Sequence, residues 1–113
     1  MRKYLLIVLL AGLVFSSCGH REKVRKPEVF LSEQQMMDVL TDAYLIEAEL
    51  NQMKSEGKDV SILQSAYYEQ LFEHYDITDS VFKENMNYYS YHLVEMERIM
   101  DSVMDRFLKA QGQ

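Results

Sequence analysis

Beyond Pro27, the only proline among 113 residues, apolar side chains recur at steps of three and four to the end of the chain. That spacing is the period of an α-helix, and no stretch of useful length alternates as a strand does. A body with this pattern must pack helices through one apolar stripe each. The pattern resolves into four segments, over residues 32–54, 61–75, 79–90 and 92–110. In the first, Ser32 and Gln35 stand at capping-box spacing. Met36, Val39, Leu40, Ala43, Ile46, Leu50 and Met53 then form the stripe, and Gly57 is the expected stop. In the second, Ser61 and Gln64 repeat the cap spacing, and Ile62, Ala66, Tyr68, Leu71, Phe72 and Tyr75 form the apolar side. Asp76 to Asp79 is a turn, with Thr78 or Asp79 capping the third helix, which carries Val81, Phe82, Met86 and Tyr89. The fourth sets Leu93, Met96, Met100, Val103 and Phe107 along one edge, widened by Ile99, Met104 and Leu108, and Asp105 with Lys109 is a favourable i,i+4 pair. The expected fold is all-α, a small bundle of about four helices spanning residues 31–113.

The first seventeen residues have a different logic. Arg2 and Lys3 precede twelve uncharged residues, Tyr4 to Phe15, and then Ser16-Ser17-Cys18. A positive start, a short apolar run and small residues are the layout of a cleaved secretion signal. A spanning helix needs about 20 apolar residues, and the charges from His20 onward end the run too soon. Phe15-Ser16-Ser17-Cys18 resembles a bacterial lipobox, with Phe15 where Leu, Val or Ile is usual. The expectation is a lipoprotein signal peptide over 1–17, lipidation of Cys18, and a basic tether over 18–30. Cys18 is the only cysteine, so an acylated chain holds no free thiol and no disulfide. Two or more acyl chains hold a protein firmly to a bilayer where one does so only marginally. Gly19 stands where an inner-membrane retention signal has Asp, and the following run is basic. The expected location is the cell envelope, at the outer membrane facing the periplasm.

Charge sharpens the division. Removing residues 1–17 takes out Arg2 and Lys3 and moves the net charge from −6 to −8. Residues 18–27 hold Arg21, Lys23, Arg25 and Lys26 against Glu22, whereas residues 28–113 hold 6 basic and 17 acidic side chains. So acidic a body does not bind nucleic acid, which requires Lys and Arg against phosphates. The basic segment can add to membrane attraction, at about 1 kcal/mol per cation near an anionic surface, or serve simply as a soluble tether.

Among candidate sites, Met36, Met37, Met53, Met86, Met96, Met100 and Met104 read mainly as core filling, with Met37 off the stripe and expected to be exposed. Tyrosines concentrate around the second and third helices. Their ring and polar tip suit a half-buried rim or a contact surface, and Tyr67, Tyr68, Tyr88, Tyr89 and Tyr91 are the possible interaction surface. Neighbours on a helix point about 100° apart, so one of Tyr88 and Tyr89 should face inward and the other outward. His74 with Glu73, Asp76 and Asp79 lacks the repeated ligand spacing of a closed metal site, and the turn has no calcium-loop glycine. Glu97, Asp101 and Asp105 step by four, as a solvated helix face does. No nucleophile elbow occurs. No catalytic residue, metal or cofactor is expected, and the chain does not read as an enzyme.

The stretch YYEQLFEHYDITDSVFKENMNYYSYHLVEMERIMDSVMDRFLKA resembles the C-terminal signature of a family of small lipoproteins of Bacteroidetes-type bacteria. The matching features are the turn Tyr75-Asp76-Ile77-Thr78, Phe82, the pair Tyr88 and Tyr89, and Ile99 with Val103. Pro27, Leu40, Asp42, Glu47 and Ala48 match upstream, so the resemblance spans residues 27–110. At position 93 this chain has Leu where many members carry proline. The family has no assigned activity, so the resemblance implies a helical domain behind a lipid anchor and supplies no catalytic residues. The function expected is a lipid-anchored cell-envelope protein acting as a non-enzymatic protein-interaction module, with the membrane and another envelope protein as partners. The alternative is a module binding a small ligand or glycan through the Tyr-rich helices.

Overall fold

Ser32 opens the first helix as its spacing requires. Its Oγ accepts from the Gln35 N–H at 3.2 Å, and Gln35 Oε1 accepts from the Ser32 N–H at 2.9 Å. The computed structural model describes residues 24–112, together with Tyr4. The proposed signal peptide, Cys18 and the first part of the tether lie outside the described residues. Four helices follow in chain order: α1 (Glu33–Ser55), α2 (Ser61–His74), α3 (Asp79–Ser90) and α4 (Leu93–Ala110). The fold is an all-α bundle, and each boundary falls within a residue or so of the one read from the apolar spacing.

Helix α1 is the central element because its stripe is wide enough to serve two neighbours. Met36, Val39, Leu40, Ala43 and Leu50 are buried along it. Met36 and Leu40 join Leu31, Tyr89, Ile99 and Val103 in a core shared with α3 and α4. Val39 and Ala43 join Leu71 in a second core against α2. Ile77 and Phe82 touch both, so the two cores are continuous at the α2–α3 turn. Ion pairs Glu33–Arg98 at 2.7 Å and Asp38–Arg106 at 2.6 Å set α4 beside α1, and the Tyr44 and Phe107 rings meet further along. These pairs ascend together in number, so α1 and α4 run in the same sense. The contacts Glu49–Tyr67, Glu47–Tyr68 and Asp42–Tyr75 run oppositely, which makes α1 and α2 antiparallel.

Helices α1 and α2 end in the same way. After α1, Gly57 takes φ +82°, its N–H donates to Lys54 O, and Lys58 N–H donates to Met53 O. After α2, the corresponding residue is Asp76 at φ +51°, with Asp76 N–H donating to Glu73 O and Ile77 N–H to Phe72 O. Both are Schellman stops, with Ile77 packed beside Phe72 in the second core. Only the second forces a β-carbon into left-handed backbone, at a cost of roughly 1 kcal/mol. Asp76→Gly should therefore raise stability by about that amount and the midpoint of thermal unfolding by about 4–8 °C; an unchanged or lower midpoint by calorimetry would contradict this.

Several particulars differ from the sequence reading. The cap of α2 comes from Asp59, whose Oδ1 accepts from both the N–H and the hydroxyl of Ser61; Ser61 is itself the first helical residue and caps nothing. Ile62 does not join the apolar side and, among the described residues, is the most exposed of the large apolar side chains, at 85%. Val60, two positions earlier, is buried, and two helical steps of about 100° turn Ile62 away from the core. On α4 the fully buried residues are Ile99 and Val103, and Met96 and Met100 of the expected edge pack on the same core, whereas Leu93, Met104 and Leu108 are exposed. Met37 is half-buried and packs on the main core, not free in solvent.

The largest addition is Asn85, a fully buried polar side chain on α3. Its Oδ1 accepts from Leu31 N–H at 2.8 Å, and its Nδ2 donates to Val29 O and Val81 O, each at 2.8 Å. One turn on, Tyr89 Oη donates to Leu31 O at 2.7 Å. Both backbone groups of Leu31 are thus taken by α3 side chains, and the segment before α1 is clamped, not loose. The tether is bonded to α3 from Val29 onward. Asn85→Ala orphans the buried Leu31 N–H and should destabilise the fold by about 2–4 kcal/mol. Asn85→Asp keeps the acceptor but buries a charge and loses the donors, so its loss should be at least as large. Tyr89→Phe should cost about 1–2 kcal/mol. Urea unfolding of the three variants checks the order, and an Asn85→Asp protein as stable as the parent would refute the clamp.

Candidate functional site

The tyrosines singled out in the sequence do not form one surface. Tyr89 is in the core at 2% exposure, and so is removed from any contact surface; its hydroxyl is used on Leu31. Burial raises its pKa first, with the nearby Glu33 adding to the effect. Tyr88 is half-buried and packs on the same core, its ring 5.3 Å from that of Tyr89, so the two do not divide into one inward and one outward ring as expected. Tyr91 is exposed, at 60%. Tyr67 and Tyr68 sit elsewhere, on the α1–α2 seam.

That seam is built of phenols and carboxylates. Tyr68 Oη donates to Glu47 at 2.5 Å, Tyr75 Oη donates to Asp42 and to Asp38 O, and Tyr67 Oη stands 3.5 Å from Glu49. Glu47 and Glu49 lie about 1.4 and 1.9 turns beyond Asp42 on α1, opposite the descending tyrosines of α2. Desolvation, then the Glu47 bond, pushes the Tyr68 phenol up to about 12, and burial with the Asp42 bond pushes Tyr75 up as well. An open cleft of about 410 Å³ lies along this seam, lined by Asp42, Ile46, Glu49, Tyr67, Gln70, Leu71 and His74. A second open depression, of about 590 Å³, runs across α2 and is lined by Tyr68, Phe72, Ile77, Glu69, Glu73 and Asp79 with Ser65. Both are acidic, and their size falls within the range of small-molecule sites without enclosing a ligand.

A second group sits where the clamped segment meets the α3–α4 corner. Lys26 Nζ lies 4.1 Å above the Phe30 ring, Phe30 packs edge-on against Tyr88 at 5.3 Å, and Tyr88 stacks on His92 at 4.0 Å. His92 Nδ1 is 2.8 Å from Tyr88 O, which holds the ring in place. Next to this ladder, Tyr91, Leu93 and Val94 are exposed.

A family profile described as a domain of unknown function (DUF4296) matches residues 27–113. The chain belongs to this DUF4296 family. The match starts at Pro27, so the family unit includes the clamped segment as well as the four helices. Leu93 is the first residue of α4, a position at which proline's missing N–H and fixed φ would be tolerated. No curated protein and no solved structure matches the chain.

His74 is exposed and lines the α1–α2 cleft, and among the described residues no cluster of three His, Cys, Asp or Glu side chains could hold a metal ion. Glu97, Asp101 and Asp105 are all exposed, and Asp105 pairs with Lys109 at 2.9 Å. No helix among the described residues is long and apolar enough to cross a membrane.

The seam has a pH signature. Below pH 10 the phenols are neutral in both folded and unfolded chains. Above it the unfolded phenols ionise first, because the folded ones are held higher, so stability should fall from about pH 10 and be lost as Tyr68 titrates near 12. The double variant Tyr68→Phe, Tyr75→Phe should flatten this alkaline limb. Thermal midpoints measured from pH 8 to 12 check it, and parallel curves for parent and variant would remove the assignment.

Proposed function

We propose that this DUF4296 protein is a lipid-anchored component of the bacterial cell envelope that works by binding another envelope protein, without chemistry of its own. The sequence supports the anchor: a short apolar leader, a lipobox-like Phe15-Ser16-Ser17-Cys18, and a lone cysteine placed to become the first residue of the mature chain. The resemblance to small lipoproteins of Bacteroidetes-type bacteria agrees with it. The observation that carries the binding reading is the open acidic cleft between α1 and α2. Its carboxylates at Asp42 and Glu49 meet tyrosine hydroxyls instead of lysine or arginine, which leaves negative charge beside half-buried aromatic rings. Such a face suits a segment bearing Lys or Arg, whose cations gain from both carboxylates and rings.

A second reading keeps the same cleft and replaces the protein by a small cationic ligand or a sugar stacked on Tyr67, favoured by the cleft's volume. The two differ in what they recover. A photo-crosslinking side chain at Gln70, within the cleft, should capture one envelope protein in living cells, and Glu49→Lys should reduce that capture at least tenfold while leaving the fold intact by circular dichroism. No specific adduct from Gln70, together with a thermal shift from a cationic metabolite or glycan, would replace the first reading by the second. The anchor has its own test. Mass spectrometry should find acyl chains on Cys18 as the mature N-terminus, and Cys18→Ala should abolish sedimentation with membranes; unchanged sedimentation would refute it.

A further inference from the structure

We infer that the α3–α4 corner, with Tyr91, Leu93 and Val94, is the end of the body that lies against the bilayer, its exposed side chains entering the interfacial layer of the membrane that holds the chain's own lipid anchor. This rests on the anchor at Cys18 proposed above and adds an orientation that the anchor alone does not provide.

Three observations converge on this corner. The first is exposure: Leu93 is 74%, Val94 63% and Tyr91 60% exposed, and they are nearly consecutive in the chain. No other place among the described residues exposes three large apolar side chains so close in sequence. Ile62 and Leu63 are the nearest rival, at the opposite end of the bundle beside the α1–α2 loop. The second is where the tether enters. Lys26, Phe30, Tyr88 and His92 stack in series, so the chain coming from Cys18 joins the body at this corner and at no other. The lead from Cys18 to Val29, the first residue bonded to α3, spans eleven residue steps and reaches at most about 36–40 Å. While Asn85 and Tyr89 keep Val29 and Leu31 docked, that lead starts from this corner, so the corner is the end of the body held nearest to the anchor.

The third is charge. The residues beyond position 27 are strongly acidic and are repelled by anionic head groups, yet Arg25 and Lys26 sit on the segment that runs into this corner. Glu95 and the exposed Glu97 are the acids nearest to it in sequence, Glu28 lies on the incoming segment, and Glu33 is already paired with Arg98. The mixture of Tyr with aliphatic side chains, bordered by Lys and Arg, is the composition that settles at a membrane interface. The bilayer is thus the occupant the corner fits, and the acidic α1–α2 cleft is left facing away from the lipid.

Because Cys18 is the only cysteine and is acylated in this reading, Leu93→Cys gives the mature protein one free thiol. The experiment uses the full acylated chain, purified from membranes and reconstituted into vesicles of phosphatidylethanolamine and phosphatidylglycerol. An environment-sensitive fluorophore is placed at Leu93→Cys, at Val94→Cys, or at Ile62→Cys as the control. Circular dichroism confirms folding, and two independent corner positions guard against one that perturbs it. Quenching by nitroxide-bearing lipids should be at least threefold stronger at 93 and 94 than at 62, with blue-shifted emission at the corner only. Equal, weak quenching at all three sites in a protein that is acylated and vesicle-bound would overturn the orientation while the anchor stands. Blue-shifted emission at 93 and 94 without lipid quenching would also overturn it, since a protein surface or a second copy then covers the corner. A chain found unacylated and free of vesicles would remove the anchor itself, and the orientation with it.

Discussion

The structure depends on one buried amide. Asn85 holds Leu31 and Val29 against α3, and through them it fixes where the chain enters α1, the helix that both cores share. Asn85 is fully buried, and all its polar atoms have partners. An apolar residue in its place would fill the same volume but leave the Leu31 N–H without a partner, away from water. Polar groups buried this way give little net stability when satisfied, and cost much more when left half-satisfied. Their value lies in specifying one arrangement, here the angle at which the incoming segment crosses the third helix. Phe30, packed on Tyr88 and Tyr89, adds the apolar part of the same junction.

The rest of the bundle follows from α1 having two apolar flanks. One faces α3 and α4, the other α2. The seams differ in kind: α1 and α4 are joined by Arg–carboxylate pairs, whereas α1 and α2 are joined by tyrosine–carboxylate bonds. An arginine pair neutralises charge, and a tyrosine bond does not. The α1–α2 side therefore keeps its negative potential, and this asymmetry, more than any single residue, distinguishes the face suited to a cationic partner from the face locked into the core.

Much of this was legible before any coordinates. Steps of three and four marked all four helices, and Ser32 with Gln35 announced the start of α1, because both signals are local and need no knowledge of the partner elements. What escaped was non-local or decided by direction. The apolar spacing gave Asn85 no role, yet it stands between Phe82 and Tyr89 on the apolar line of α3, and a polar residue on such a line is the signal that could have found it. Ile62 looked like core because it is apolar, but the phase of α2 is set by Val60, outside the helix proper. Tyr89 was grouped with the surface rings although the stripe of its own helix placed it inward. The acidic seam was not readable, since it exists only when α1 and α2 lie antiparallel and bring Asp42, Glu47 and Glu49 opposite three phenols.

The junction at Leu31 also imposes an order of events. Its partners lie 54 and 58 residues further along, whereas the contacts of α1 with α2, and of α3 with α4, close over shorter loops. A ribosome delivers Leu31 early and Asn85 late, so for most of its synthesis the polypeptide carries an undocked leader ahead of a nascent helical hairpin. Any product that stops before the third helix must leave Leu31, Met36 and Leu40 uncovered, which is the kind of surface that proteolysis and chaperones recognise. The residue that fastens the front of the molecule thereby makes its completion conditional on the back.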